Sequence, residues 1–185
     1  MKKGEFNFKG FTIIEVSLVL AIAGLIFLMI FIALPALQRQ QRDTARKEDI
    51  TAFISAVKKF QTNNRGALPA GEGTFERATG SGDSTGWSGF LRDYMSGGFE
   101  DPITGEEYEL VVESCNGGGK DNDCANGNWQ KALTDDFDAN AGNIYVITQA
   151  KCAGDDTKGV LSTVNTRKLA VLYKLEGGGV YCENS

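Results

Sequence analysis

A run of 22 residues without a charged side chain, Val16–Leu37, constrains this chain more than any other feature. As a helix it spans about 33 Å, enough to cross a hydrocarbon core of about 30 Å. The apolar segment begins earlier, because Phe11, Ile13 and Ile14 precede the run. Glu15 therefore lies inside it, near its start. A charged side chain at the bilayer centre costs roughly 2.5–3.5 kcal/mol on insertion scales, and such residues are functional candidates. Near one end of the segment the cost is smaller.

The ten residues ahead of Phe11 are polar and basic, with Lys2, Lys3 and Lys9. An ordinary secretory signal is cut after its apolar region, at small residues. Here the small residue, Gly10, comes before it. A cut after Gly10 removes the charged leader and keeps the whole helix. The product begins with a free amine on Phe11 and carries Glu15 as its fifth residue. The order Lys9-Gly10, Phe11-Thr12-Ile13-Ile14-Glu15-Val16, with Gly24 fourteen places into the mature chain, resembles the type IV pilin family with its prepilin-type leader. Residues 1–37 carry the resemblance, and the rest of the chain shares only its architecture.

That resemblance implies several roles. A membrane aspartyl peptidase cuts between Gly10 and Phe11, and Phe11 becomes N-methylated. Glu15 pairs with the amine of a neighbouring subunit and sets the axial stagger. Fibres of the family commonly melt a helical segment between a Gly and a Pro; the candidates here are Gly24 and Pro35. Pro35 stands three residues further along than in the family pattern, where Ile32 now sits.

After Pro35 the chain turns polar but keeps helical periodicity. Ile50, Phe53, Ile54, Val57 and Phe60 recur at helical spacing, with most charges off that stripe. One helix is expected over residues 11–62, about 78 Å long, ending at the Asn/Gly cluster of residues 62–66. The alternative is two helices broken at Pro35. Strand candidates are Tyr108–Val112, Ile144–Ala150 and Leu169–Leu175, followed by a short Val180–Cys182 edge after Gly177–Gly179. The expected fold is α+β: a long N-terminal helix packed on an antiparallel β-sheet head, the layout of the pilin fold. The segments are residues 1–10 (leader), 11–37 (transmembrane or filament-core helix), 38–65 (amphipathic half of the same helix) and 66–185 (β-rich head). Asp101-Pro102-Ile103-Thr104-Gly105 looks like the turn that leads into the pilin sheet, and turn chemistry alone accounts for it.

Formal charge is −5, and the leader contributes +2, so residues 11–185 carry −7. That balance argues against nucleic acid held by bulk charge, though a local basic patch is compatible with it. The absence of His removes Ser/His/Asp and Cys/His nucleophilic sites and the commonest metal ligand. The chain is read as a non-enzyme without cofactors. Asp121-Asn122-Asp123 and Asp135-Asp136-Phe137-Asp138 offer oxygen ligands for Ca²⁺, but the EF-hand spacing is not met and a solvated acidic loop is the expectation. Four cysteines in an exported head read as two disulfides. Three pairings exist; Cys115–Cys124 and Cys152–Cys182 are expected. Zinc is disfavoured because no C-x-x-C pair is present. Trp87 and Trp129 are read as core or loop anchors rather than adhesive aromatics.

The resemblance implies a structural subunit of a type IV pilus, serving adhesion, motility or DNA uptake. Its partners are other pilin subunits, minor pilins among them, the prepilin peptidase, the assembly machinery, and the cytoplasmic membrane before assembly. The leader faces the cytoplasm and the head lies outside, in the extracellular fibre once assembled. The rival readings are a pseudopilin of a type II secretion or competence system, and a membrane-anchored lectin-like head.

Overall fold

The computed structural model describes residues 10–76, 85–95, 97, 99–102, 104–115, 142–154, 160–162, 165–176 and 178–185. The chain is α+β and divides into two compact units, residues 1–39 and 40–185.

One helix, α1 (Ile13–Asn63), runs through Gly24 and Pro35 without a break. Within the first unit every large apolar side chain of α1 is exposed, from Ile13 at 91% to Leu34 at 43%. A helix that is apolar on all sides is one that is buried in a larger core or in a membrane, and none of the described residues covers this stretch. The helix ends as expected at residues 62–66. The Gly66 N–H donates to the Gln61 carbonyl, and Arg65 and Gly66 adopt φ of +56° and +85°. This left-handed turn closes the last carbonyls.

The second unit holds a short helix, α2 (Trp87–Tyr94), and seven described strands. These are β1 (Gly73–Phe75), β2 (Glu109–Ser114), β3 (Asn143–Thr148), β4 (Ala150–Cys152), β5 (Val160–Ser162), β6 (Leu169–Lys174) and β7 (Val180–Asn184). Five of them form one sheet in the order β1-β2-β3-β6-β7, while β4 and β5 form a separate pair.

The main sheet is mixed, which corrects the expected antiparallel sheet. β2 and β3 are parallel, with Leu110 opposite Ile144 and Val112 opposite Val146. The other three pairings are antiparallel. Parallel neighbours need a crossover of a dozen or more residues, and residues 115–142 supply that length. Strand composition does not encode direction, so the long connection was the available signal. Two further differences are local. β1 has no counterpart among the strand candidates, because three residues are too few to show a period. The Ile144–Ala150 run is cut in two at Gln149, whose φ is +57° and whose N–H donates to the Lys168 carbonyl.

The core lies between the sheet and the two helices. Ile50, Phe53, Ile54, Val57 and Phe60 of α1 meet Trp87, Phe90 and Leu91 of α2 and the inward residues of β2, β3 and β6. Burying each large apolar side chain stabilises the head by about 1.5–3 kcal/mol. Phe53 stacks with Trp87 and Phe99 and meets Phe90 edge-on. On the opposite face Ala150 of β4 and Val160 of β5 pack on Ile147, Ala170, Leu172 and Val180. β6 is thus covered on both faces, which explains why its sequence does not alternate.

Cys152 and Cys182 form a disulfide between β4 and β7, with Cα atoms 5.9 Å apart. Cys115 is also disulfide-bonded. Cys124, its expected partner, lies outside the described residues.

Candidate functional site

Gly10, Phe11 and Thr12 precede α1, and Thr12 caps it. The Thr12 N–H and Oγ1 both donate to Glu15 Oε2, at 2.9 and 2.8 Å. The Glu15 N–H in turn donates to Thr12 Oγ1 at 3.3 Å. This reciprocal capping box satisfies two N–H groups that the first helical turn leaves open. The partner of the Glu15 carboxylate within the chain is thus a neutral hydroxyl and a main-chain N–H rather than a charge. The sequence signal was present as Thr12-Ile13-Ile14-Glu15.

Glu15 Oε1 makes no bond among the described residues, so the carboxylate keeps acceptor capacity. It lies in an open apolar groove lined by Phe11, Val16, Val19 and Leu20. Phe11 is 87% exposed. Such a carboxylate can take a cation from another molecule while its other oxygen stays on the cap. A Cβ at Gly10 or Gly24 would meet no atom within 4 Å. Nothing within the described chain demands glycine at either place.

A second polar cluster lies inside the head, and sequence reasoning missed it. Arg46 and Asp101 are each 1% exposed. Arg46 Nη2 donates to both Asp101 oxygens, at 3.0 and 2.9 Å. The Tyr173 hydroxyl donates to Asp101 Oδ2 at 2.8 Å, and the Arg46 guanidinium stands 5.0 Å from the Tyr173 ring centroid. Beside them the Tyr108 hydroxyl donates to Asp49 Oδ2 at 3.0 Å. Burial, foremost, raises both phenols above their ordinary value and keeps them as donors. Burial likewise raises the Asp49 carboxyl, against the Tyr108 hydrogen bond.

Turn chemistry is therefore only half the account of residues 101–105. The Gly105 N–H does close the turn on the Asp101 carbonyl, with φ of +68° at Gly105. The Asp101 side chain, however, anchors α1 to the head. Arg46 sits four residues before Ile50, on the same helical stripe, and that position was the missed signal. Arg42 adds a bidentate pair to Glu176 at 2.7 Å for both bonds.

Trp87 is fully buried and belongs to the core. Trp129 and the acidic stretches 121–123 and 135–138 lie outside the described residues. No cluster of three metal-ligating side chains occurs among the described residues. No family model, curated protein or solved structure matches the chain.

Proposed function

We propose that the chain is a structural subunit of a type IV pilus. The observation that carries this reading is the fully exposed apolar stretch of α1, opened by the Gly10–Phe11 junction and holding one carboxylate at its first turn. Before assembly the lipid bilayer covers that surface. In the fibre the same helices of neighbouring subunits cover it, and the heads form the exterior.

Cleavage after Gly10 creates the one cation that this end of the mature chain lacks, the α-amine of Phe11. Glu15 keeps one oxygen on the Thr12 cap and offers the other to the amine of an incoming subunit. A pairing charge left alone in hydrocarbon is penalised, so subunits stop sliding where amine and carboxylate meet. The intact mass of filament protein sheared from cells tests the reading. The expected mass is that of residues 11–185 with an N-methyl group and two disulfides. Retention of residues 1–10, or absence of the chain from the filaments, overturns it.

A further inference from the structure

Residues 40–185 carry 15 Lys and Arg against 22 Asp and Glu, a net charge of −7. One open cleft in the head runs against that balance. Its volume is about 580 Å³, and Lys58, Arg65, Arg167 and Lys168 line it together with Thr62 and Asn165, with no acidic side chain among them. Two separate parts of the fold build it. Lys58, Thr62 and Arg65 come from the end of α1, and the others come from the turn leading into β6. The Gln61 Nε2 donates to the Arg167 carbonyl at 2.7 Å and ties the two parts together. A Cβ at Gly66 would stand 3.2 Å from the Arg167 guanidinium, which lies directly on the closing turn of α1.

Three of the four cations are not consumed by internal pairing. Lys58, Arg65 and Arg167 make no ion pair among the described residues. Lys168 Nζ donates only to the main-chain oxygen of Ser185, at 2.7 Å. Offsetting the negative end of α1 accounts for Arg65 and Lys58 at most. The carbonyls of Phe60 and Gln61 are already taken by N–H groups of Asn64 and Gly66. Arg65 also occupies a left-handed position (φ +56°) that favours glycine. A cation therefore stands where the backbone alone would select a residue with no side chain.

The geometry points to a binding site for linked phosphates in this cleft. Four cations match two or more adjacent phosphates better than one, and guanidinium groups take phosphate oxygens in pairs. No aromatic side chain lines the cleft, so it offers phosphate contacts and no surface for stacking bases. Recognition is then independent of sequence and strongly dependent on salt. The inference does not depend on the filament reading, since the cleft belongs to the head alone.

Calorimetric titration of the full chain in a nonionic detergent tests it. Sodium tripolyphosphate and a short DNA duplex are the two probes, at low ionic strength. Binding of tripolyphosphate alone identifies short free phosphate chains as the ligand, and binding of both extends the site to a phosphodiester backbone. For the duplex, log K falls with log salt at a slope of up to about −3.6 for four contacts. The Arg65→Gly/Arg167→Gln variant is expected to lower affinity about tenfold or more and to reduce that slope by about 2. Arg65→Gly relieves the left-handed residue, so the variant folds at least as well at that turn. Lys151→Gln, which removes one charge from an exposed residue outside the cleft, leaves affinity within about twofold. Failure of both probes to bind, or equal binding by the double variant and the natural chain, overturns the proposal.

Discussion

Replacing Asp101 by Asn removes one charge and almost no volume. The main-chain bonds of the turn, from the Asp101 N–H to the Glu106 carbonyl and from the Gly105 N–H to the Asp101 carbonyl, stay in place. What changes is the hydrogen-bonded partner of Arg46, a cation 1% exposed whose Nε and Nη1 already lack a hydrogen bond and whose remaining ion pair, from Nη1 to Asp43 Oδ1, is 3.8 Å long. Breaking a buried pair by removing one member costs about 3–5 kcal/mol, because the remaining charge stays desolvated. Asn still accepts from Tyr173, so we expect the lower end, about 3 kcal/mol. For a domain of this size that lowers Tm by about 6–12 °C. The assay is thermal unfolding of the full chain in nonionic detergent, followed by near-ultraviolet circular dichroism. That signal reports the aromatic core around Phe53, Trp87 and Phe90 rather than the apolar run of α1. The triple variant Arg46→Met/Asp101→Leu/Tyr173→Phe removes all three polar partners together. We expect it to recover to within about 1–2 kcal/mol of the natural chain, since apolar replacement of a whole buried network is often near neutral. A loss under about 1 kcal/mol for Asp101→Asn, or a triple variant as unstable as the single one, refutes the reasoning.

Replacing Cys152 and Cys182 by Ser opens a closure with a sequence separation of 30, and equilibrium unfolding in urea should show a loss of about 3–4 kcal/mol. Asp49 holds its proton to higher pH in the fold than in the unfolded chain, through burial and the neighbouring Asp101 and Glu48 carboxylates, with the Tyr108 hydroxyl opposing. Stability from that group is therefore lost as pH rises above the ordinary value of 3.8. Asp49→Asn should raise Tm at pH 7, and the gain should shrink as pH falls towards that value; a gain that grows on acidification contradicts the sign. Glu15→Ala should be cleaved and inserted normally but yield few filaments in a shearing assay, and undiminished yield sinks the assembly role. In a filament reconstruction at side-chain resolution we expect extended backbone within residues 24–35; a helical rise of about 1.5 Å per residue throughout that window counts against it.

The amphipathic stripe was legible because Ile50, Phe53, Ile54, Val57 and Phe60 obey one period and the core obeys the same one. The same period extended backwards lands on Arg46, and reading charge as solvent-facing hid it. Strand positions were legible from β-branched runs, and the Cys152–Cys182 bridge from its place beside two of them. Strand direction was not, because parallel and antiparallel strands draw on the same residues and differ in their connections. The kink at Gln149 was equally hidden: a non-glycine residue at positive φ leaves no compositional trace. At the N-terminus the Thr12–Glu15 box is written in four residues, a hydroxyl and a carboxylate three apart at the start of an apolar run.

The mixed sheet sets an order of events during synthesis. The stripe on α1 leaves the ribosome first, and β6, the last of the strands it packs against, follows more than a hundred residues later. At about 5–20 residues per second that gap lasts about 5–20 s. Throughout it Ile50, Phe53, Ile54, Val57 and Phe60 lack the complete sheet that covers them. Pairing of β2 with β3 cannot precede the crossover of residues 115–142 either, so partial heads built from the first strands lack their central neighbour. An unfinished chain therefore presents two apolar surfaces in succession, the uncharged run and then the stripe. The first is long and apolar enough to cross a membrane, so the second sets how long the emerging head keeps its core surface open to solvent.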